Sequence, residues 1–184
     1  MEQDRTKILC IGFPKSGTTT LFKAFKKAGF DAVHRRRKGK KPEGYRLYRS
    51  YIRDYTWTGA DVITQLDTCR KDVNVWPQLD YEFLKWASQH SKMILQYRSP
   101  EKILRSIKDH NDLRKRIVYA PGLFGAATTD GDIFRWVEKH LIDAKLAVPG
   151  ALKVCMDDSD ARDRIAKFIG VDLPWWGVAN ATRR

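Results

Sequence analysis

The sequence predicts an α/β protein built on a central, mainly parallel sheet of about five strands. Three observations carry this reading. Short apolar runs at 7–13, near 31–34, and at 73–76, 92–97 and 151–156 alternate with stretches of helical periodicity. The first run passes into its helix through a tight loop containing Pro14, Ser16 and Gly17. No internal repeat or low-complexity linker interrupts the alternation. Strands separated by helices need right-handed crossovers, which lay helices on both faces of a parallel sheet.

The elements follow in order. After the first strand, Leu21, Phe22, Phe25 and Ala28 recur at helical spacing. Tyr45, Tyr48 and Tyr51, at i, i+3 and i+6, mark a helix face packing on the core. Leu79, Phe83, Leu84 and Ala87 form the next stripe, and Ile103, Leu104 and Ile107 another. The longest runs through Ile133, Phe134, Val137, Leu141, Ala144 and Val148, and the last holds Ile165, Phe168 and Ile169. The Gly/Ala/Thr-rich stretch 119–131 has no periodicity and reads as a mobile loop. A chain of 184 residues reads as one domain, 1–184. Ligands of such sheets collect at the carboxyl ends of the strands. That places the 14–19 loop, His34, Trp76 and Arg98 on one edge.

Composition excludes some classes. No run of about 18 apolar residues exists to span a membrane. The charged opening Met1, Glu2, Gln3, Asp4 and Arg5 is unlike a secretory signal. Three cysteines, Cys10, Cys69 and Cys155, read as free thiols of a reducing compartment, hence a cytoplasmic location. The formal charge is +13, and residues 34–53 carry nine positive charges against one negative. Such a segment is either a solvated loop or the partner of an anion.

The 8–21 segment bears the first chemistry. A strand, a tight loop and a helix start aim free N–H groups and the positive end of a helix dipole into one space, which suits phosphate or sulfate. Gly12 and Gly17 have the spacing of a P-loop, yet Thr18 stands where a nucleoside-triphosphatase has its lysine. The cation is Lys15, inside the loop. In the second segment a strand ends on Arg98, Pro100 opens a helix and Ser106 lies two turns in. Arginine there can fork onto a phosphate and the serine hydroxyl can close over it.

With Pro14, Lys15, Ser16, Gly17, Thr18 and Thr19 followed by Arg98, Pro100 and Ser106, the chain resembles the P-loop sulfotransferases that use 3'-phosphoadenylyl sulfate. Trp76-Pro77, the stretch Phe168 to Val171 and the terminal Asn180, Ala181 and Thr182 extend the resemblance over most of the chain. It implies a P-loop-type three-layer fold and transfer of a sulfuryl group to an acceptor hydroxyl or amine. The residues 14–19, with Thr20 beside them, would hold the 5'-phosphosulfate, and Arg98 and Ser106 the 3'-phosphate. Lys15 would neutralise charge on the bridging oxygen, with no metal required.

The acceptor side departs from the family pattern: Val75 stands where cytosolic members have a histidine. His34 is the expected general base, kept neutral by flanking arginines; Asp72 and Asp67 are the alternatives. The acceptor wall is expected from 36–57 and 119–131, and their polar and basic content favours an anionic or sugar-like acceptor. The basic run Arg35 to Lys41 is expected to serve that acceptor. Two other readings stay open. A P-loop nucleotide kinase would need magnesium on Asp157 or Asp158, and a non-catalytic module would bind anions or nucleic acid through the basic segment.

Overall fold

The computed structural model describes residues 6–35, 41–53, 60–69, 74–110, 112–118 and 129–179. The chain opens with β1 (Ile8–Cys10), α1 (Thr18–Lys27), β2 (Ala32–Val33), α2 (Glu43–Ile52) and β3 (Val62–Ile63). It continues through β4 (Thr68–Cys69), β5 (Asn74–Val75), a 3-10 turn (Pro77–Leu79), α3 (Tyr81–Ser88) and β6 (Lys92–Tyr97). It then runs through α4 (Pro100–Lys108), α5 (Leu113–Ile117), α6 (Asp130–Ala147), β7 (Leu152–Cys155) and α7 (Ala161–Ile169). Five strands form one sheet in the order β2-β3-β1-β6-β7. Every pairing in it is parallel, with Ile8 opposite Val62 on one side and Lys92 on the other.

Alternation along β1 divides the core into two layers. Leu9 and Ile11 join Ile63, Met93 and Leu95 against Phe83, Leu84 and Ala87 of α3 and Ala144 of α6. Ile8 and Cys10 face the opposite way, with Val62, Ile94 and Val154, against Leu21 and Phe25 of α1 and Ile165 of α7. Burying each such large side chain contributes about 1.5–3 kcal/mol, so the helical stripes fix which face each helix presents. The N-terminus of α4 is set locally: Pro100 occupies its first turn and the Ser99 hydroxyl accepts from the Lys102 N–H. The three-layer, parallel-sheet architecture is the one expected from sequence.

Three details correct that expectation. The run at 73–76 does not enter the sheet: β5 pairs antiparallel with β4 in a separate ribbon. The fifth sheet strand is β3, two residues long and too short to show a period. Trp76 is buried against Phe13 and Trp136, with ring centroids 6.0 and 5.1 Å away, so it serves packing rather than the carboxyl edge. On α2, Tyr48 and Tyr51 pack on Phe83 as expected, while Tyr45 takes the Lys41 and Arg49 cations over its ring. Among the described residues no helix is long and apolar enough to cross a membrane.

Candidate active site

The site begins where β1 leaves the sheet. Gly12 lies so close to β6 that a Cβ there would sit 2.0 Å from the Gln96 carbonyl oxygen. The Ser16 N–H and hydroxyl both donate to the Phe13 carbonyl, at 3.2 and 2.5 Å, and close the loop. Lys15 (φ 71) and Gly17 (φ 95) are left-handed on either side of Ser16, a backbone alternation that turns successive N–H groups into one concavity. Gly17 then caps α1 with no side-chain partner and no acidic residue in the first turn. The positive end of that helix is left to an anion.

This loop forms one wall of a cavity of about 1110 Å³. Pro14, Lys15, Gly17, Thr18, Thr19 and Thr20 line it, with Arg98 and Ser106 across the carboxyl ends of β1 and β6. The two segments singled out in the sequence, more than 80 residues apart, therefore meet. Ser16, expected with the rest of 14–19 to hold the phosphosulfate, is fully buried, and its N–H and hydroxyl both donate to Phe13. The Thr20 hydroxyl lies at the rim and donates to the Gly177 carbonyl at 3.0 Å. Arg98 is held by Asp157, Nε to Oδ1 3.1 Å, and Lys102 reaches the same carboxylate at 3.1 Å.

The cavity lining also includes His34, Arg35, Gln65, Asp67, Cys69 and Arg116. His34 Nε2 lies 3.0 Å from the Thr18 hydroxyl and 3.4 Å from that of Thr19. Burial, with Arg35 and Lys15 adding to it, lowers its pKa to about 4, so the imidazole is neutral at pH 7. Asp67 is buried, with Oδ2 accepting from Gln65 Nε2 at 2.9 Å and Oδ1 from Gln78 Nε2 at 3.3 Å. Burial raises its pKa to about 6 against the opposing pull of these hydrogen bonds and of Arg35. Burial also lowers the Lys15 pKa, and Asp109, on the cavity wall, acts the other way. Arg116 is pinned through Nη1 to the Cys69 carbonyl at 2.6 Å.

Asp72 and the run 36–40 lie outside the described residues, as does 119–128. Asp157 and Asp158, the carboxylates a kinase would need, are not on the cavity wall: Asp157 pairs with Arg98 and Lys102, and Asp158 with Arg164 at 3.5 Å. Sequence reasoning missed Gln96 and His140, both buried beneath the loop. Their signal was a polar residue on an otherwise apolar strand and helix stripe. All three cysteines are free.

Residues 7–144 match the model of a sulfotransferase domain. The chain belongs to that family, and its activity class is therefore sulfotransferase. A comparison with curated proteins found no match. The matched stretch holds β1, the loop and α4 with Arg98 and Ser106, whereas Asp157, Asp158, Arg164 and Gly177 lie beyond it.

Proposed function

We propose that the chain, as a single 1–184 domain, transfers a sulfuryl group from 3'-phosphoadenylyl sulfate to an acceptor hydroxyl, releasing adenosine 3',5'-bisphosphate. The observation that carries this is the convergence of the uncapped 12–18 loop with Arg98 and Ser106 on one cavity. The loop amides of 17–19 and the threonine hydroxyls would bind the 5'-phosphosulfate, and Arg98 and Ser106 the 3'-phosphate. Lys15 neutralises the bridging oxygen as its bond to sulfur breaks. The chemistry needs no metal, because the charge that develops meets a lysine and preorganised N–H groups. A cytoplasmic location accords with three free thiols.

The acceptor proton goes to Asp67 in this reading. His34, the expected base, has its Nε2 beside the Thr18 and Thr19 hydroxyls, where it orients the groups that hold the sulfuryl oxygens. Asp67, with a pKa of about 6, is ionised at neutral pH and close to the value a base needs. The two assignments predict different pH profiles. With Asp67 as base, kcat/KM falls below about pH 6; with His34 it holds down to about pH 4. Asp67→Asn should lower kcat about 10²–10⁴-fold at pH 7.5, and a loss smaller than that of His34→Gln overturns the assignment.

Arg35 and Arg116 line the cavity on the acceptor side, Arg116 also pairing with Asp112 at 3.1 Å. An anionic or sugar-like acceptor fits that side. The test is transfer of labelled sulfuryl from 3'-phosphoadenylyl sulfate to a panel of acidic and neutral glycans, phenols and lipids. Turnover of acidic or sugar acceptors supports the proposal, and turnover confined to apolar phenols contradicts the acceptor class.

A further inference from the structure

The peptide unit joining Ile11 to Gly12 is the last one before the anion-binding loop, and both of its polar groups are held by side chains. Its N–H, carried by Gly12, donates to Gln96 Oε1 at 3.1 Å. Its carbonyl, carried by Ile11, lies 3.0 Å from His140 Nε2. A carbonyl only accepts, so His140 Nε2 carries the proton and Nδ1 holds the lone pair. Gln96 comes from β6 and His140 from α6, and the two are 0% and 2% exposed. One amide plane is thus gripped from two separate elements.

Each residue also carries a polar atom that the clamp does not use. Gln96 Nε2 and His140 Nδ1 are buried and find no hydrogen-bond partner among the described residues. Leaving a buried polar atom unmade costs about 1–3 kcal/mol, and each residue accepts that cost on one atom while its other atom satisfies a backbone group of the Ile11–Gly12 peptide. Polar residues that break the local pattern in this way are characteristic of functional sites. Backbone pairing explains the need. Ile11 still donates to the Ile94 carbonyl at 2.9 Å, but at Gly12 the side chain of Gln96 replaces the ladder carbonyl. The chain therefore passes from backbone pairing to side-chain pairing at this amide, and a rotation of its plane would swing everything that follows, Lys15 included.

We propose that Gln96 and His140 are positioning residues for the transfer reaction, clamping the Ile11–Gly12 amide and so setting the direction in which the anion-binding loop leaves the sheet. The inference rests on the reading that this loop holds the sulfuryl donor, but the clamp itself is measurable without it. Gln96→Met keeps the volume and removes the acceptor; His140→Leu removes the donor; His140→Gln restores an N–H to the site. Amide hydrogen exchange at Ser16 is measured on each full-length variant, with Leu84→Ala as a control in the core layer over α3.

Both deletions should speed exchange at Ser16, whose N–H is held by the Phe13 carbonyl, about tenfold and lower kcat about tenfold, with acceptor KM nearly unchanged. His140→Gln should recover most of both losses. Leu84→Ala should lower the melting temperature while leaving loop exchange as in the unsubstituted protein. If His140→Leu does not fold, Gln96→Met decides alone. Unchanged loop exchange in the deletions overturns the clamp, as does equal loop exchange in the Leu84→Ala control. If the unsubstituted protein binds no adenosine 3',5'-bisphosphate, the donor reading fails while the exchange data still judge the clamp.

Discussion

Lys15→Ala should lower kcat about 10³-fold while weakening adenosine 3',5'-bisphosphate less than about tenfold. The asymmetry follows from where charge sits. In the proposed complex the phosphates would meet the loop amides, the threonine hydroxyls and Arg98, all of which remain in the variant. The bridging oxygen gains negative charge only as sulfur departs, and Lys15 is the loop's one cation. Its side chain is partly desolvated on the cavity wall, which strengthens the interaction relative to water. A group that binds the transition state better than the ground state changes kcat, not affinity. Alanine keeps the Cβ, so the left-handed backbone at φ 71 is no more strained than before. Equal losses of kcat and affinity would make Lys15 an ordinary binding group. Single-turnover rates and calorimetric titration on the same preparation separate the two.

Gly12→Ala should be among the most damaging substitutions of a single methyl group at the described glycines. A Cβ there meets the Gln96 carbonyl oxygen at 2.0 Å and the side-chain Cδ at 2.6 Å. The carbonyl belongs to β6, which is paired on both sides by β1 and β7. Neither it nor Gly12 can give way without breaking the sheet or the loop. The expected cost is about 3 kcal/mol or more, roughly 10 °C in Tm for a chain of this size. Nucleotide binding should be lost along with it, because the exit of the loop moves. Gly150→Ala is the matched control: no atom lies within 4 Å of its Cβ, and its change should stay within about 0.5 kcal/mol. Thermal melts of the two variants check this, and indistinguishable melts would show that β6 accommodates the methyl group.

What was legible in the sequence follows the range of the physics involved. The loop was readable because its conformation is local. A glycine at positive φ, a proline at the strand end and an apolar helix stripe all act within a few residues, whereas the collision that requires Gly12 comes from Gln96 on β6. The helices of both layers were readable from Leu21, Phe83, Ile103 and Ile165, whose spacing selects a buried face. β3 was not, since Val62 and Ile63 are buried on both faces and too few to alternate. The pattern at 73–76 announced a strand correctly but not its partner, because strand patterning is the same in a ribbon as in a sheet. The proton acceptor was least legible. His34 and Asp67 reach one cavity only through the pairing of β2 with β3 and the chain that leaves β3. The elevated pKa of Asp67 comes from burial that no local pattern reports. Gln96 and His140 were missed as polar residues within apolar stripes, and their shared target, one peptide group, exists only in the fold.

The central claim is that the 12–18 loop, Arg98 and Ser106 form one site for a 3',5'-bisphosphorylated adenosine. Isothermal titration of the full chain with adenosine 3',5'-bisphosphate tests it most directly, with adenosine 5'-monophosphate and magnesium–ATP titrated alongside. The account predicts a Kd of about micromolar or tighter for the bisphosphate. Removing the 3'-phosphate deprives Arg98 and Ser106 of their partner and should weaken binding about 10–100-fold. Absence of binding at micromolar concentrations, or tighter binding of magnesium–ATP than of the bisphosphate, would contradict it.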